Sequence, residues 1–154
     1  GCGMRGLFCG RRKSGRPPAP GMTRVTLPRL LRESDIVSMH VPSTPATHHL
    51  IGAAEMGLMK PTAILINTSR GTAIDETALI AALRAGRLWG AGLDVFEREP
   101  RIPAALRRNR RVVLTPHIAS ATRQTRGAMA MTAAQNIIDF FNGKPDRRHV
   151  VTGR

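Results

Sequence analysis

The chain contains no tyrosine, one tryptophan and four phenylalanines, and only two of its 154 residues are cysteine. Carboxylates are also scarce: ten Asp and Glu stand against 24 Lys and Arg, and three of those 24 are Lys. Each shortage excludes something. Cys2 and Cys9, if they share one extended segment, are an odd number of residues apart and point to opposite faces. That argues against a disulfide between them and fits a reducing cytoplasm. Apolar stretches are broken by charge every few residues, and the basic N-terminus is not followed by an apolar h-region. Neither a membrane span nor a secretory signal is visible, so a cytoplasmic protein is expected.

The net charge of +14 raises nucleic acid as a partner, because Arg and Lys neutralise phosphates and release counterions. The composition argues against it. Single-strand binders need aromatic platforms, and Phe8, Trp89, Phe96, Phe140 and Phe141 fall mostly in segments expected to be buried. The Arg bias follows from coding composition as readily as from a basic face with a reading motif.

What is present is a rhythm of short apolar runs and helical segments. Met4 to Cys9 reads as a strand running into a basic, Gly- and Pro-rich loop at residues 10–18, with Gly6 weakening it. Leu27 to Glu33 reads as a short helix, and the β-branched run Asp35 to Val41, stopped by Pro42, as the second strand. Ala53 to Lys60 has helical composition closed by Pro61, and Ala63 to Asn67 is an apolar run of the kind buried on both faces of a parallel sheet. Asp75 to Ala85 places Leu79, Ile80 and Leu83 on one helical face, with Gly86 as the stop. Gly90 to Val95 and Val112 to Leu114 are further strands, and a long helix from Ser120 or Thr122 ends near Gly143. Alternation of this kind predicts an α/β fold with a largely parallel sheet.

Gly1-Cys2-Gly3-Met4-Arg5-Gly6 matches the spacing G-x-G-x-x-G, but nothing precedes Gly1 and a strand follows Gly6. A phosphate-binding turn needs the reverse: a strand before it and a helix N-terminus after it. His40, His48, His49 and His149 have no recognisable metal-ligand spacing, and no metal is expected.

Four segments carry a resemblance. Ser34-Asp35-Ile36-Val37 with His40-Val41-Pro42 and Thr47 is the first, and Leu58-Met59-Lys60-Pro61 leading to Asn67-Thr68-Ser69-Arg70-Gly71 is the second. Gly92-Leu93-Asp94-Val95-Phe96 with Glu99-Pro100 is the third, and the run Thr115 to Thr122 is the fourth. In this order they resemble the nucleotide-binding domain of the D-isomer-specific 2-hydroxyacid dehydrogenases, most closely the glyoxylate and hydroxypyruvate reductases. The resemblance implies a partial Rossmann-like, doubly wound parallel sheet lacking its first strand and helix. Residues 1–118 would form the partial NAD(P)-binding domain and residues 119–154 a long helix and tail.

Reduction of a 2-keto acid needs a hydride donor, a proton for the nascent alkoxide and a cation for the carboxylate. The resemblance assigns the proton to His117, since imidazole titrates near neutrality, and gives Glu99 as the carboxylate that favours its charged form. Arg70 is the matching cation, with a planar fork suited to the substrate's carboxylate and keto oxygen. His40, Val41, Pro42, Thr47, Thr68, Ser69, Asp94 and Ala119 fall at cofactor-binding positions of the resemblance. Gly10-Arg11-Arg12 offers no acid for a ribose 2′-OH, and an Arg there accommodates a 2′-phosphate, so NADPH is favoured, with NAD as the other cofactor considered. A small 2-keto or 2-hydroxy acid substrate and a full-length homodimer follow from the same resemblance. Two other classes stay open: a noncatalytic nucleotide-binding or interaction module, and a basic nucleic-acid-binding protein. The absence of a first strand and pyrophosphate turn leads us to expect that this fragment does not turn over by itself.

Overall fold

The computed structural model describes residues 3–10 and 20–146. Cys2, Arg11 and Arg12 therefore lie outside the described residues, as does most of the basic loop. The chain divides into two compact units, residues 1–116 and 117–154.

In the first unit, strand β1 (Gly6–Phe8) pairs in parallel with β2 (Met22–Arg24). Helix α1 (Leu27–Glu33) follows, and then β3 (Ile36–Met39), α2 (Ala53–Leu58), β4 (Ile64–Asn67), α3 (Glu76–Arg84) and β5 (Gly90–Leu93). The short helix α4 (Ala104–Arg107) precedes β6 (Val112–Leu114). Strands β3 to β6 form one fully parallel sheet in the order β3-β4-β5-β6. This bears out the parallel α/β reading. The run Asp35 to Val41 is, however, the third strand and not the second, because β2 intervenes.

The register explains the core. It aligns Val37, Leu65, Ala91 and Val112 in one cross-sheet row and Met39, Asn67, Leu93 and Leu114 in the next. Side chains alternate across a sheet, so both rows project from the same face. Val37, Met39, Leu65, Ala91 and Leu93 join a buried cluster with Leu31 of α1, Met56 of α2, Leu79 and Leu83 of α3, and Leu106 of α4, and the half-buried Val112 and Leu114 pack against it. Full burial of one such Leu removes enough apolar surface to contribute about 1.5–3 kcal/mol.

The opposite row, Ser38, Ile66, Gly92 and Val113, is not covered in the same way: Val113 is 69% exposed, and Ile36 at the start of β3 is 50% exposed. The expectation that Ala63 to Asn67 is buried on both faces is thus corrected. Leu65 and Asn67 are buried, while Ile64 and Ile66 are only half-buried.

Local signals fix the helix ends. The Asp75 carboxylate caps α3 by accepting a bond from the Ala78 N–H at 3.0 Å. Gly86, at φ 66°, supplies the left-handed residue just beyond the last turn.

The second unit contains α5 (Arg123–Phe141), capped by the Thr122 hydroxyl accepting from the Thr125 N–H at 3.0 Å and followed by Gly143 at φ 71°. Phe140 and Phe141 are 66% and 81% exposed, and Trp89, on the turn before β5, is 56% exposed. The expectation of mostly buried aromatics is therefore overturned, since only Phe96 is in the core. Among the described residues, no helix is long and apolar enough to cross a membrane. Cys9 is an exposed free thiol.

Candidate active site

Because β3 to β6 are parallel, the segments leaving their C-terminal ends lie along one sheet edge, where open α/β sheets place their ligands. Each segment is pinned by its own sequence. After β3, the Thr47 hydroxyl donates to the Pro42 carbonyl at 2.6 Å and accepts from the Thr44 N–H at 2.9 Å. This folds residues 42–47 back on themselves and leaves His40 and Pro42 exposed and Val41 half-buried. The Ser38 hydroxyl lies 2.8 Å from His40 Nε2.

After β4, Asn67 is buried, and its amide donates to the Arg70 carbonyl at 2.9 Å. Its side-chain oxygen accepts from the Ser69 N–H at 3.0 Å and the Ser69 hydroxyl at 2.8 Å. Four residues are thereby locked into one turn that presents Thr68 and Arg70 to solvent. One Arg70 guanidinium nitrogen donates to the Ser69 carbonyl at 2.7 Å.

Gly71 is buried against the next segment, and a Cβ at this position would overlap the Phe96 carbonyl group and crowd the Glu97 nitrogen. The turn bearing Arg70 is thus seated directly on the segment after β5. In that segment Asp94 is buried, its N–H donates to the Asn67 carbonyl at 2.9 Å, and its carboxylate accepts from the Thr115 hydroxyl. Glu99 is exposed and accepts the Phe96 N–H at 2.9 Å. His117 (φ 54°) and Ala119 belong to the second unit and are exposed.

Two further groups stabilise this edge and are invisible to motif reading. The Glu76 carboxylate, at the start of α3, accepts the Glu97 N–H at 2.8 Å. Burial pushes its pKa above the usual carboxylate value; the Glu97 N–H bond opposes this, the charges of Glu97 and Glu99 add to it, and Arg98 opposes it. His49 Nε2 lies 3.0 Å from Glu97 Oε1, tying the segment after β3 to the segment after β5. No sequence signal links positions 48 residues apart. Asn67 had a weak signal, a polar residue ending an apolar run.

A parallel sheet whose C-terminal edge gathers Arg70, Asp94 and Glu99 on interlocked turns defines a nucleotide-binding α/β domain. Residues 1–119 match the family described as D-isomer specific 2-hydroxyacid dehydrogenase, NAD binding domain, and the chain belongs to it. The chain is 49% identical over 145 residues to a glyoxylate reductase of Thermococcus litoralis, covering 94% of this chain and 44% of that protein. It is 50% identical over 125 residues to glyoxylate/hydroxypyruvate reductase B of Shigella boydii, covering 80% and 39%. Among solved structures, the TT0316 protein of Thermus thermophilus superposes with a TM-score of 0.85 at 42% identity, over 94% of this chain and 45% of that one. The chain therefore spans less than half the length of these relatives.

Proposed function

We propose that this chain is the greater part of the nucleotide-binding domain of an NADPH-preferring reductase of small 2-keto acids such as glyoxylate or hydroxypyruvate. The observation that carries the reading is the seating of Gly71 on Phe96 and Glu97, which brings the turn bearing Arg70 onto the segment that bears Glu99. The exposed groups of the edge, His40, Pro42, Thr68 and Arg70, stand above a buried layer of Asn67, Gly71 and Asp94, and this arrangement fits one side of a bound dinucleotide. NADPH, when bound, supplies the hydride.

In this reading Arg70 holds the substrate carboxylate and polarises the keto oxygen through charge-assisted bonds. His117 delivers the proton to the nascent alkoxide, and Glu99 orients it. His40, Val41, Pro42, Thr47, Thr68, Ser69, Asp94 and Ala119 face the cofactor, and Arg11 and Arg12 take its 2′-phosphate. Residues 1–118 serve as the cofactor domain and residues 119–154 as the helix and tail that lead from it. The assembled protein works in the cytoplasm as a homodimer. The interlocked turns favour this reading over a noncatalytic module, because Asn67 and Gly71 commit buried structure to presenting one exposed Arg.

The test replaces the corresponding segment of the Thermococcus litoralis protein with this chain and follows NADPH oxidation by glyoxylate. The chimera should turn over, at a rate on the order of 1 per second or more, and the chain alone should not. Arg70→Lys should lower kcat/KM, because an ammonium lacks the two-pronged fork. A folded chimera that binds NADPH yet reduces neither 2-keto acid would overturn the proposal.

A further inference from the structure

His48, His49 and Glu97 each offer one ligand atom, and these atoms lie within 4.8 Å of one another. We propose that they form a binding site for one late first-row divalent cation, of the zinc class, independent of the reductase chemistry. Two imidazoles and one carboxylate are the ligand set that zinc, cobalt and nickel accept, whereas magnesium and calcium prefer oxygen alone.

The spacing fits. Bonds of about 2.0–2.1 Å to nitrogen and oxygen separate neighbouring ligand atoms by about 2.9–3.4 Å in octahedral or tetrahedral geometry. His49 Nε2 and Glu97 Oε1 are 3.0 Å apart. A cation can replace the shared proton between them without moving either backbone. The His48 ring stacks on that of His49, with centroids 4.0 Å apart and planes 29° from parallel. Stacked rings direct their in-plane lone pairs side by side, so His48, which is exposed, must turn out of the stack to give the third bond.

The backbones beneath are held firmly. His49 sits at φ 48°, a left-handed conformation uncommon outside glycine, and is kept there as its N–H donates to the Thr72 carbonyl at 2.8 Å. Glu97 is fixed by its N–H bond to Glu76. His49 and Glu97 thus arrive with little backbone ordering left to do, and His48 supplies the adjustable ligand. Local charge is balanced in the cation's favour, since the carboxylates of Glu76, Glu97 and Glu99 stand near Arg98. The chain as a whole, at +14, repels cations, so adventitious binding elsewhere is weak. The bound ion would brace the turn after β3 to the segment after β5.

Purified chain is titrated with Zn²⁺ against a chromophoric chelator, and with Co²⁺ read by its visible spectrum. One equivalent should bind, with a nitrogen and oxygen ligand spectrum free of thiolate charge transfer, and Zn²⁺ should raise the thermal midpoint. His48→Ala and Glu97→Gln should each weaken binding tenfold or more and abolish that rise. His48 is exposed, so its variant retains the fold, checked by circular dichroism. Absence of saturable binding, binding unchanged in both variants, or binding lost in Cys2→Ser or Cys9→Ser would overturn the site.

Discussion

Gly71 and Phe96 approach so closely that no side chain fits between them: a Cβ on Gly71 would occupy the space of the Phe96 carbonyl. The obstacle is backbone in the segment after β5, not the tip of a flexible side chain, so it cannot easily shift. Gly71→Ala should therefore destabilise the chain by about 1–3 kcal/mol, the ordinary cost of overpacking. Gly57→Ala is the control. Gly57 lies within α2 with nothing near its hypothetical Cβ, so the change should stabilise by about 0.5–1 kcal/mol through reduced chain entropy. Thermal unfolding of the two variants should move in opposite directions. Equal midpoints would mean that the turn after β4 is not seated on the segment after β5.

Asn67 supports the same turn from below. Its buried amide satisfies the Ser69 N–H, the Ser69 hydroxyl and the Arg70 carbonyl. Asn67→Leu keeps the volume and removes every bond, leaving part-buried polar groups unmatched at a cost of about 1–3 kcal/mol. Asn67→Asp keeps both acceptor roles but buries a carboxylate and turns an oxygen toward the Arg70 carbonyl, so it should also lower the denaturant midpoint, and less so at acid pH, where the carboxyl is neutral and can donate. If Leu is tolerated without loss, the turn is held by something else.

The strands Ile36–Met39 and Ile64–Asn67 were legible because both are short runs rich in β-branched and apolar residues, and the prolines that follow or precede them mark the ends. Met22–Arg24 was not legible. It has three exposed residues, and its strand character comes wholly from the ladder with Gly6, Leu7 and Phe8, a non-local pairing that no local pattern announces. The four-residue helix Ala104–Arg107 is too short to show a period. Arg70, Glu99 and His117 stood out through motif order, whereas the grouping of His48, His49 and Glu97 exists only because parallel strands deliver distant segments to one edge. Trp89 and Phe141 show the limit of inferring burial from residue type: Trp89 lies on the turn before β5 and Phe141 on α5, a helix without a buried residue, and both are exposed.

Glu76 gives a stability signature that depends on pH. Its pKa in the folded state is raised above the ordinary carboxylate value, chiefly by burial. A raised carboxyl pKa favours folding at pH values below the unfolded pKa, and that contribution is lost as pH rises through the folded pKa. Glu76→Gln cannot ionise, and its amide oxygen can still accept the Glu97 N–H. The stability of the variant relative to the parent should therefore increase from about pH 4 to pH 7, bracketing the ordinary Glu value near 4.3. Thermal midpoints across that range check it. A constant difference would show that the charge on Glu76 is not penalised in the fold.

Cofactor preference is the finest part of the proposed function, and it turns on Arg11 and Arg12. The sequence after the first strand has no acid that could accept from a ribose 2′-OH, and two guanidinium groups stand there instead. Charge-assisted bonds to a 2′-phosphate contribute roughly 1.5–3 kcal/mol each. Since about 1.4 kcal/mol is a decade of affinity, NADPH should be preferred over NADH at least about tenfold in the chimera. Replacing both arginines with Ala should weaken NADPH far more than NADH, and the difference should shrink at high salt, where the phosphate is already screened. Dissociation constants for the two cofactors at two ionic strengths decide the matter. Equal losses would assign these arginines to the surface or the strand, and NADH would then be as good a cofactor for this domain as NADPH.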